Sequence, residues 1–290
     1  MHLLLGHPID LCCVGVRTRM EALGLRAKIV DAPLAPPARL VWRLDDTGLS
    51  SSYTSPDLGD EEIESVLVRD ISGIDLEGWN PTDHAYMQAE LYATLLAWLE
   101  ALPCPVINRR PAALWYRSMM PLLAWQRLLH RCGLRTPETI VTNDLIEARN
   151  FARNRDGVVL KPLTGEAGYL VVGEIDWSGV AAVQQLAPVC LTEPHEKAQS
   201  ACIVGSEVIW DGVPAIEAKA LEPRLLRFAN AAHLEFLEVA VAMVRGEPAV
   251  IKVDASPRLE HFQLVSRDRI LDALVARLTR VDARVMEQVG

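Results

Sequence analysis

Ile251-Lys252-Val253-Asp254-Ala255-Ser256-Pro257-Arg258-Leu259-Glu260 is the stretch on which the fold of this chain turns. Residues 249–253 predict a strand, and alternation across a strand sets Lys252 and Asp254 on one face. If that face lines a cleft, the Lys252 ammonium needs an anion, because an unpaired buried charge is very costly. Asp254, Glu217 and Glu260 are the candidate protein carboxylates, and a ligand phosphate is the other source of charge. Lys252 and Arg258 also read together as a basic pocket for an acidic small molecule or a peptide carboxylate. The alternative is a pair of surface charges matched by Glu260 and Asp268.

Working outward, Arg245-Gly246-Glu247-Pro248 turns the chain back from a strand over 238–244. A helix is expected over 223–237, strands over 189–191, 201–204 and 207–210, and a closing amphipathic helix over 267–288. These make one unit, 189–290. Residues 108–188 make another. There, Leu122, Leu123, Leu128 and Leu129 mark a helix that stops at Cys132-Gly133. Thr142-Asn143-Asp144 caps the next helix. Val158-Val159-Leu160-Lys161-Pro162 is a strand, and Thr164-Gly165-Glu166-Ala167-Gly168 is a loop. Residues 1–107 alternate strands (2–5, 26–30, 39–44, 65–68, 103–107) with helices. Leu11, Val14, Met20 and Leu23 stripe the first helix, and Asn80-Pro81-Thr82-Asp83 opens a long second one. Such alternation favours a mainly parallel sheet and an α/β fold class. Gly48-Leu49-Ser50-Ser51-Ser52-Tyr53 reads as a turn into a hairpin arm.

At 290 residues, 50% apolar and 23% charged, the chain can bury the cores of two or three lobes. A formal charge of −9 argues against a nucleic-acid partner, which requires a clustered basic face. No apolar run is long enough to cross a membrane, and the first residues lack the basic start of a signal peptide. A cytoplasmic location is therefore expected, with no membrane partner. The six cysteines show neither a C-x-x-C pair nor zinc spacing and read as reduced core thiols, with a thiol nucleophile as the alternative. Only five lysines occur, so those inside apolar strands, Lys161 and Lys252, stand out.

Three segments resemble the ATP-grasp superfamily, in particular ribosomal-protein glutamate ligases and related peptide-modifying carboxylate–amine ligases. They are Val106-Ile107-Asn108-Arg109 with Gly133-Leu134-Arg135-Thr136-Pro137-Glu138-Thr139, then Val159–Gly168, then the stretch that opens this section. Together they span residues 105–265, and residues 1–107 match as a pre-grasp domain. The resemblance implies an α/β, ATP-grasp-like fold with a pre-grasp domain (1–107) and two lobes (108–188 and 189–290) enclosing a cleft for ATP. It implies two phosphate-binding lysines, a hinge strand against adenine, and magnesium held by Asp, Glu and Asn. The activity it implies forms an acyl phosphate that an amine captures.

Residue by residue, Lys161 matches the second phosphate lysine, with a snorkelling surface lysine as the alternative. Leu191-Thr192-Glu193-Pro194-His195 matches the hinge, with Glu193 at the adenine edge or simply at a strand end. The rest departs. Arg117-Ser118-Met119-Met120-Pro121 has methionine for the first lysine, and Ser200 stands for an arginine. Ala242, Lys252 and Asp254 stand for the metal-binding Asp, Glu and Asn. Magnesium is therefore not expected, ATP is allowed, and no residue is nominated as catalytic or as a metal ligand. Lys161, Glu193 and Lys252 are the cofactor-binding candidates, and Asp254 and Arg258 the ligand-pocket candidates. The leading expectation is a non-catalytic or strongly modified relative that binds a ligand, a peptide or a protein partner such as a homologous active ligase. The alternative is an ATP-dependent carboxylate–amine ligase with a metal-poor site.

Overall fold

The structure, a computed structural model, describes residues 1–46, 48–55, 58, 62–69, 78, 80–109, 122–153, 155, 157–163, 170–172 and 177–279. Strands β1 (His2–Leu5) and β2 (Ala27–Val30) pair in parallel. β3 (Arg39–Asp45) and β4 (Gly48–Thr54) form a separate antiparallel hairpin, so residues 48–53, expected as a turn into such an arm, are instead its second strand. β5 (Ser65–Val68) and β6 (Val106–Ile107) complete a parallel sheet in the order β2-β1-β5-β6. Helix α1 (Leu11–Ala22) is capped by Asp10, whose carboxylate accepts the Cys13 N–H at 2.9 Å. Its buried face runs through Cys12, Cys13, Val16 and Met20, while Leu11 and Leu23 are exposed. The stripe expected at Leu11, Val14, Met20 and Leu23 is thus rotated, because small cysteines fill the space beneath the sheet. Burial pushes the Cys12 thiol up to about 12, as suits a core thiol rather than a nucleophile. Helix α2 (Pro81–Ala101) starts where Asn80 accepts the Thr82 and Asp83 N–H groups.

Helix α3 (Leu122–Arg131) ends at Gly133 (φ +75), where the left-handed turn lets Leu134 N–H reach back to the Leu129 carbonyl. The second sheet is antiparallel, in the order β7-β10-β8-β9, from β7 (Thr139–Thr142), β8 (Val158–Lys161), β9 (Leu170–Val172) and β10 (Val189–Thr192). Helices α4 (Leu145–Arg153) and α5 (Trp177–Gln184) cover it, and Phe151, Val158, Val180 and Leu191 form its own small core. The strand at 189–192, grouped with the following unit on sequence, pairs with β7 and β8 instead. All four of its residues are buried, which suits an interior strand with a neighbour on each edge.

The third sheet runs β12-β11-β13-β14, from β11 (Gln199–Val204), β12 (Glu207–Trp210), β13 (Phe236–Val244) and β14 (Glu247–Asp254). Short α6 (Ile216–Lys219) and α7 (Glu222–Ala231) precede β13. The helix expected to reach residue 237 stops at Ala231. His233 turns at φ +54, and buried Phe236 and Leu237 pair with Val204 and Ile203 as strand residues. Helix α8 (Leu264–Leu278) closes the described chain; the remainder of the expected closing helix, like the loop at 164–169, lies outside the described residues.

Leu4 and Leu67 of the first sheet share one core with α1, α8 and Cys202, Val204 and Ile209 of the third sheet. The first domain and third sheet are therefore one packed body, and the second sheet stands opposite it with a core of its own.

Candidate functional site

A bulge in the third sheet shapes the cleft. Ala240 pairs with Lys252, but Val241 pairs with Val250, so Ile251 has no register partner. The Ile251 carbonyl instead accepts from Lys161 Nζ at 3.3 Å, across the gap from the end of β8. Lys161 is 8% exposed, and burial holds its pKa below the ordinary lysine value, because desolvation penalises the charged form.

Next to this contact lie Lys252, Asp254 and an acid that the sequence reading missed. Glu238 on β13 pairs in register with Asp254 on β14. The Lys252 ammonium is 3.4 Å from Asp254 Oδ2 and 3.8 Å from Glu238 Oε1. These distances are ion pairs rather than hydrogen bonds. The Ser200 hydroxyl donates to Glu238 Oε1 at 3.1 Å, and burial raises the Glu238 pKa, with Lys252 opposing that shift. Ala242, which stands for the metal-binding Asp in the resemblance, pairs with Ala249 away from this group. The formal charge of Lys252, Asp254 and Glu238 is therefore −1, not the zero implied by Ala242, Lys252 and Asp254. Glu217, a candidate anion on sequence, is exposed on α6, and Asp268 pairs with Arg19 at 2.5 Å.

The other candidates sit elsewhere. Glu193, 5% exposed, accepts the Glu138 N–H at 3.0 Å through Oε2. Its Oε1 faces Arg245, with Arg155 at 3.6 Å. Glu193 thus ties the second sheet to the β13–β14 turn. Arg258 is exposed just after Pro257, and Pro257 is anchored by a residue that sequence reasoning also missed. Arg69, 3% exposed, donates through Nη2 to the Pro257 carbonyl at 2.7 Å and to Asp10 Oδ2 at 3.0 Å. Asn108 (φ +57) donates to the Phe236 and Ala255 carbonyls at 2.6 and 3.2 Å and accepts the Phe236 N–H at 2.8 Å. Arg69 and Asn108 fix the first domain against both ends of the Glu238–Asp254 region. An arginine directly closing the apolar run Val66-Leu67-Val68 was the available signal for Arg69. The segment Arg117–Pro121 lies outside the described residues.

A buried ammonium at Lys161 fits a nucleotide phosphate. A magnesium ion does not fit the described donors as they stand, since it needs near-octahedral oxygen and Lys252 lies between the two carboxylates. Among the described residues no group of three or more His, Cys, Asp or Glu side chains is arranged to hold a metal. An ammonium about 4 Å from a divalent ion is repelled by roughly 8 kcal/mol at an effective dielectric of about 20. No described helix is long and apolar enough to cross a membrane.

No family model matches the chain, and no curated protein matches it. Solved structures do. The ATP-grasp ligase PsnB, complexed with a minimal precursor, Mg and ADP, is 20% identical at TM-score 0.72, covering 96% of this chain and 98% of its own. The macrocyclase MdnC from Microcystis aeruginosa, bound with precursor peptide MdnA, is 17% identical at TM-score 0.74, covering 95% and 99%. A RiPP-associated ATP-grasp ligase from Chryseobacterium gregarium, in complex with ADP and a leader and core peptide, is 17% identical at TM-score 0.73, covering 96% of each chain. The expectation that magnesium is absent draws no support from PsnB, whose structure holds Mg with ADP. Near-complete coverage in both directions, with a parallel sheet followed by two antiparallel sheets, shows that this chain has the ATP-grasp fold.

Proposed function

We propose that this chain is an ATP-dependent carboxylate–amine ligase acting on a peptide. The observation that carries this reading is Lys161, buried in the cleft with its ammonium directed at the bulged Ile251 carbonyl. A desolvated lysine at the end of β8 is poised to hold a phosphate, whose charge would favour the ammonium form that burial penalises. The chemistry that ATP supplies when bound is phosphoryl activation of a carboxylate. Lys161 would hold the phosphates, and the Glu193–Arg155–Arg245 cluster would set the angle between the sheets. The peptide substrate is an analogy from fold neighbours that carry precursor peptides.

The non-catalytic reading keeps one observation in its favour. Lys252 is already matched by protein carboxylates, as an inert cleft would require. Equilibrium ATP binding separates the two. Saturable binding, lost on substituting Lys161, supports the ligase. A folded protein that binds no ATP at cellular concentrations sinks it and leaves a partner-binding relative, which co-purification with a homologous ligase would test.

A further inference from the structure

We propose that Lys252 is a tethered cation, holding the place between Glu238 and Asp254 that a divalent metal would otherwise take. It deepens the ligase reading and rests on it only for the nature of the anion that enters the cleft; the exclusion of metal stands on this chain's own residues.

Glu238 and Asp254 are directly opposed across β13 and β14. Like charges in that relation are destabilising, so the pair favours a cation beside it. Register supplies one. Lys252 is the next residue on the same face of β14, and its own partner across the sheet is Ala240. A methyl group there leaves space for the long lysine side chain to lie over the carboxylates. Ser200 fixes Glu238 from the third strand, β11. Glu238 Oε2 is buried without a hydrogen-bond partner, so the carboxylate retains an oxygen that a cation could engage. A mobile metal ion and a fixed ammonium cannot share this space, since both are positive. The ammonium is covalently present at all times. Its effective concentration at the two carboxylates therefore exceeds that of a free ion. Nucleotide binding in this cleft is then independent of divalent metal, with Lys161 and Lys252 on its two sides.

The test uses Mn²⁺ as the probe ion and ADP as the probe nucleotide, on the full chain. Electron paramagnetic resonance and thermal unfolding would report Mn²⁺ binding to the wild type, Lys252→Ala, Lys252→Arg and the Lys252→Ala/Asp254→Asn pair. The wild type and Lys252→Arg are expected to take up no stoichiometric Mn²⁺. Lys252→Ala should gain Mn²⁺ affinity by about tenfold or more, with a matching rise in melting temperature. Adding Asp254→Asn should abolish that gain. ADP should bind the wild type equally in EDTA and in Mn²⁺. Stoichiometric Mn²⁺ binding to the wild type overturns the proposal, as does a folded Lys252→Ala protein with no gain. If Lys252→Ala does not fold, the wild-type titration decides alone, on the same criterion. Failure of ADP to bind under any condition sinks the ligase reading and leaves the metal result intact.

Discussion

Lys161 shows how one residue couples stability to function. Burial lowers its folded pKa below the unfolded value, so the folded state binds fewer protons. Stability from this site therefore rises with pH up to the ordinary lysine range, and is least at neutral pH and below. Lys161→Met should remove that rise. Denaturant unfolding from about pH 7 to about pH 10 should show the wild type gaining on the variant, while the variant loses ATP affinity by roughly tenfold or more. A variant that tracks the wild type across this range would place Lys161 in solvent, against its burial. At the neighbouring cluster, Lys252 and Asp254 were legible because a strand has a period of two, and two residues of one strand share a face whatever lies beside them. Glu238 was not. Its place opposite Asp254 depends on the β13–β14 register, which a bulge at Ile251 shifts. Matching the strand to the family motif singled out Ala242 and gave no cross-strand register. The available signal was a single carboxylate inside Phe236-Leu237-Glu238-Val239-Ala240, an apolar run where it has no surface to occupy.

Among the elements, the turn between β13 and β14 and the linker after β10 form the joint between the two sheets. Glu193 is buried there among Arg155, Arg245 and the Glu138 N–H, and the Glu196 N–H donates to the Met243 carbonyl at 3.2 Å. The two arginines are unequal. Arg155 is 11% exposed, stacks 3.7 Å from the Phe151 ring and reaches Glu138 Oε2 at 2.6 Å, whereas Arg245 is 59% exposed. Arg155→Ala should therefore cost about 2 kcal/mol, through the lost packing over Phe151 and the lost ion pairs to Glu138 and Glu193. Arg245→Ala should cost about 1 kcal/mol or less, because water can take its place. Urea midpoints of the two variants would check the order, and equal losses would contradict it. Strands β1 and β5 could be read to the residue because their apolar runs are short and bounded. The end of the helix before β13 could not. Residues 232, 234, 236 and 237 are apolar, a spacing that does not separate helix from strand, and the chain changes between them at a positive φ on His233 that no local pattern announces. The partner of β10 was hidden for a related reason. An all-buried strand of four residues says that it has neighbours on both sides, not which sheet supplies them.

At the scale of the molecule, the distribution of cores decides what can move. The first domain and the third sheet share a core containing Leu4, Leu67, Cys202, Phe236, Leu271 and Leu274, so separating them exposes many buried side chains at once. Arg69 and Asn108 add buried polar clips across the same boundary. Among the described residues the second sheet has only the small cluster around Phe151, Val158 and Leu191, and it meets the rest through ion pairs, a few backbone hydrogen bonds and the Lys161–Ile251 contact. Regions with few shared apolar contacts open at lower free energy than the global unfolding. Amides of β7, β8 and β10 should therefore exchange faster than those of β1, β5, β11 and β13 in hydrogen-exchange mass spectrometry. ADP, by bridging Lys161 to the β14 side of the cleft, should slow exchange in the second sheet and leave the shared core unchanged. Uniform exchange across all three sheets, with and without ADP, would show a molecule that opens as one unit, and the cleft would then have no independent wall to close over a nucleotide.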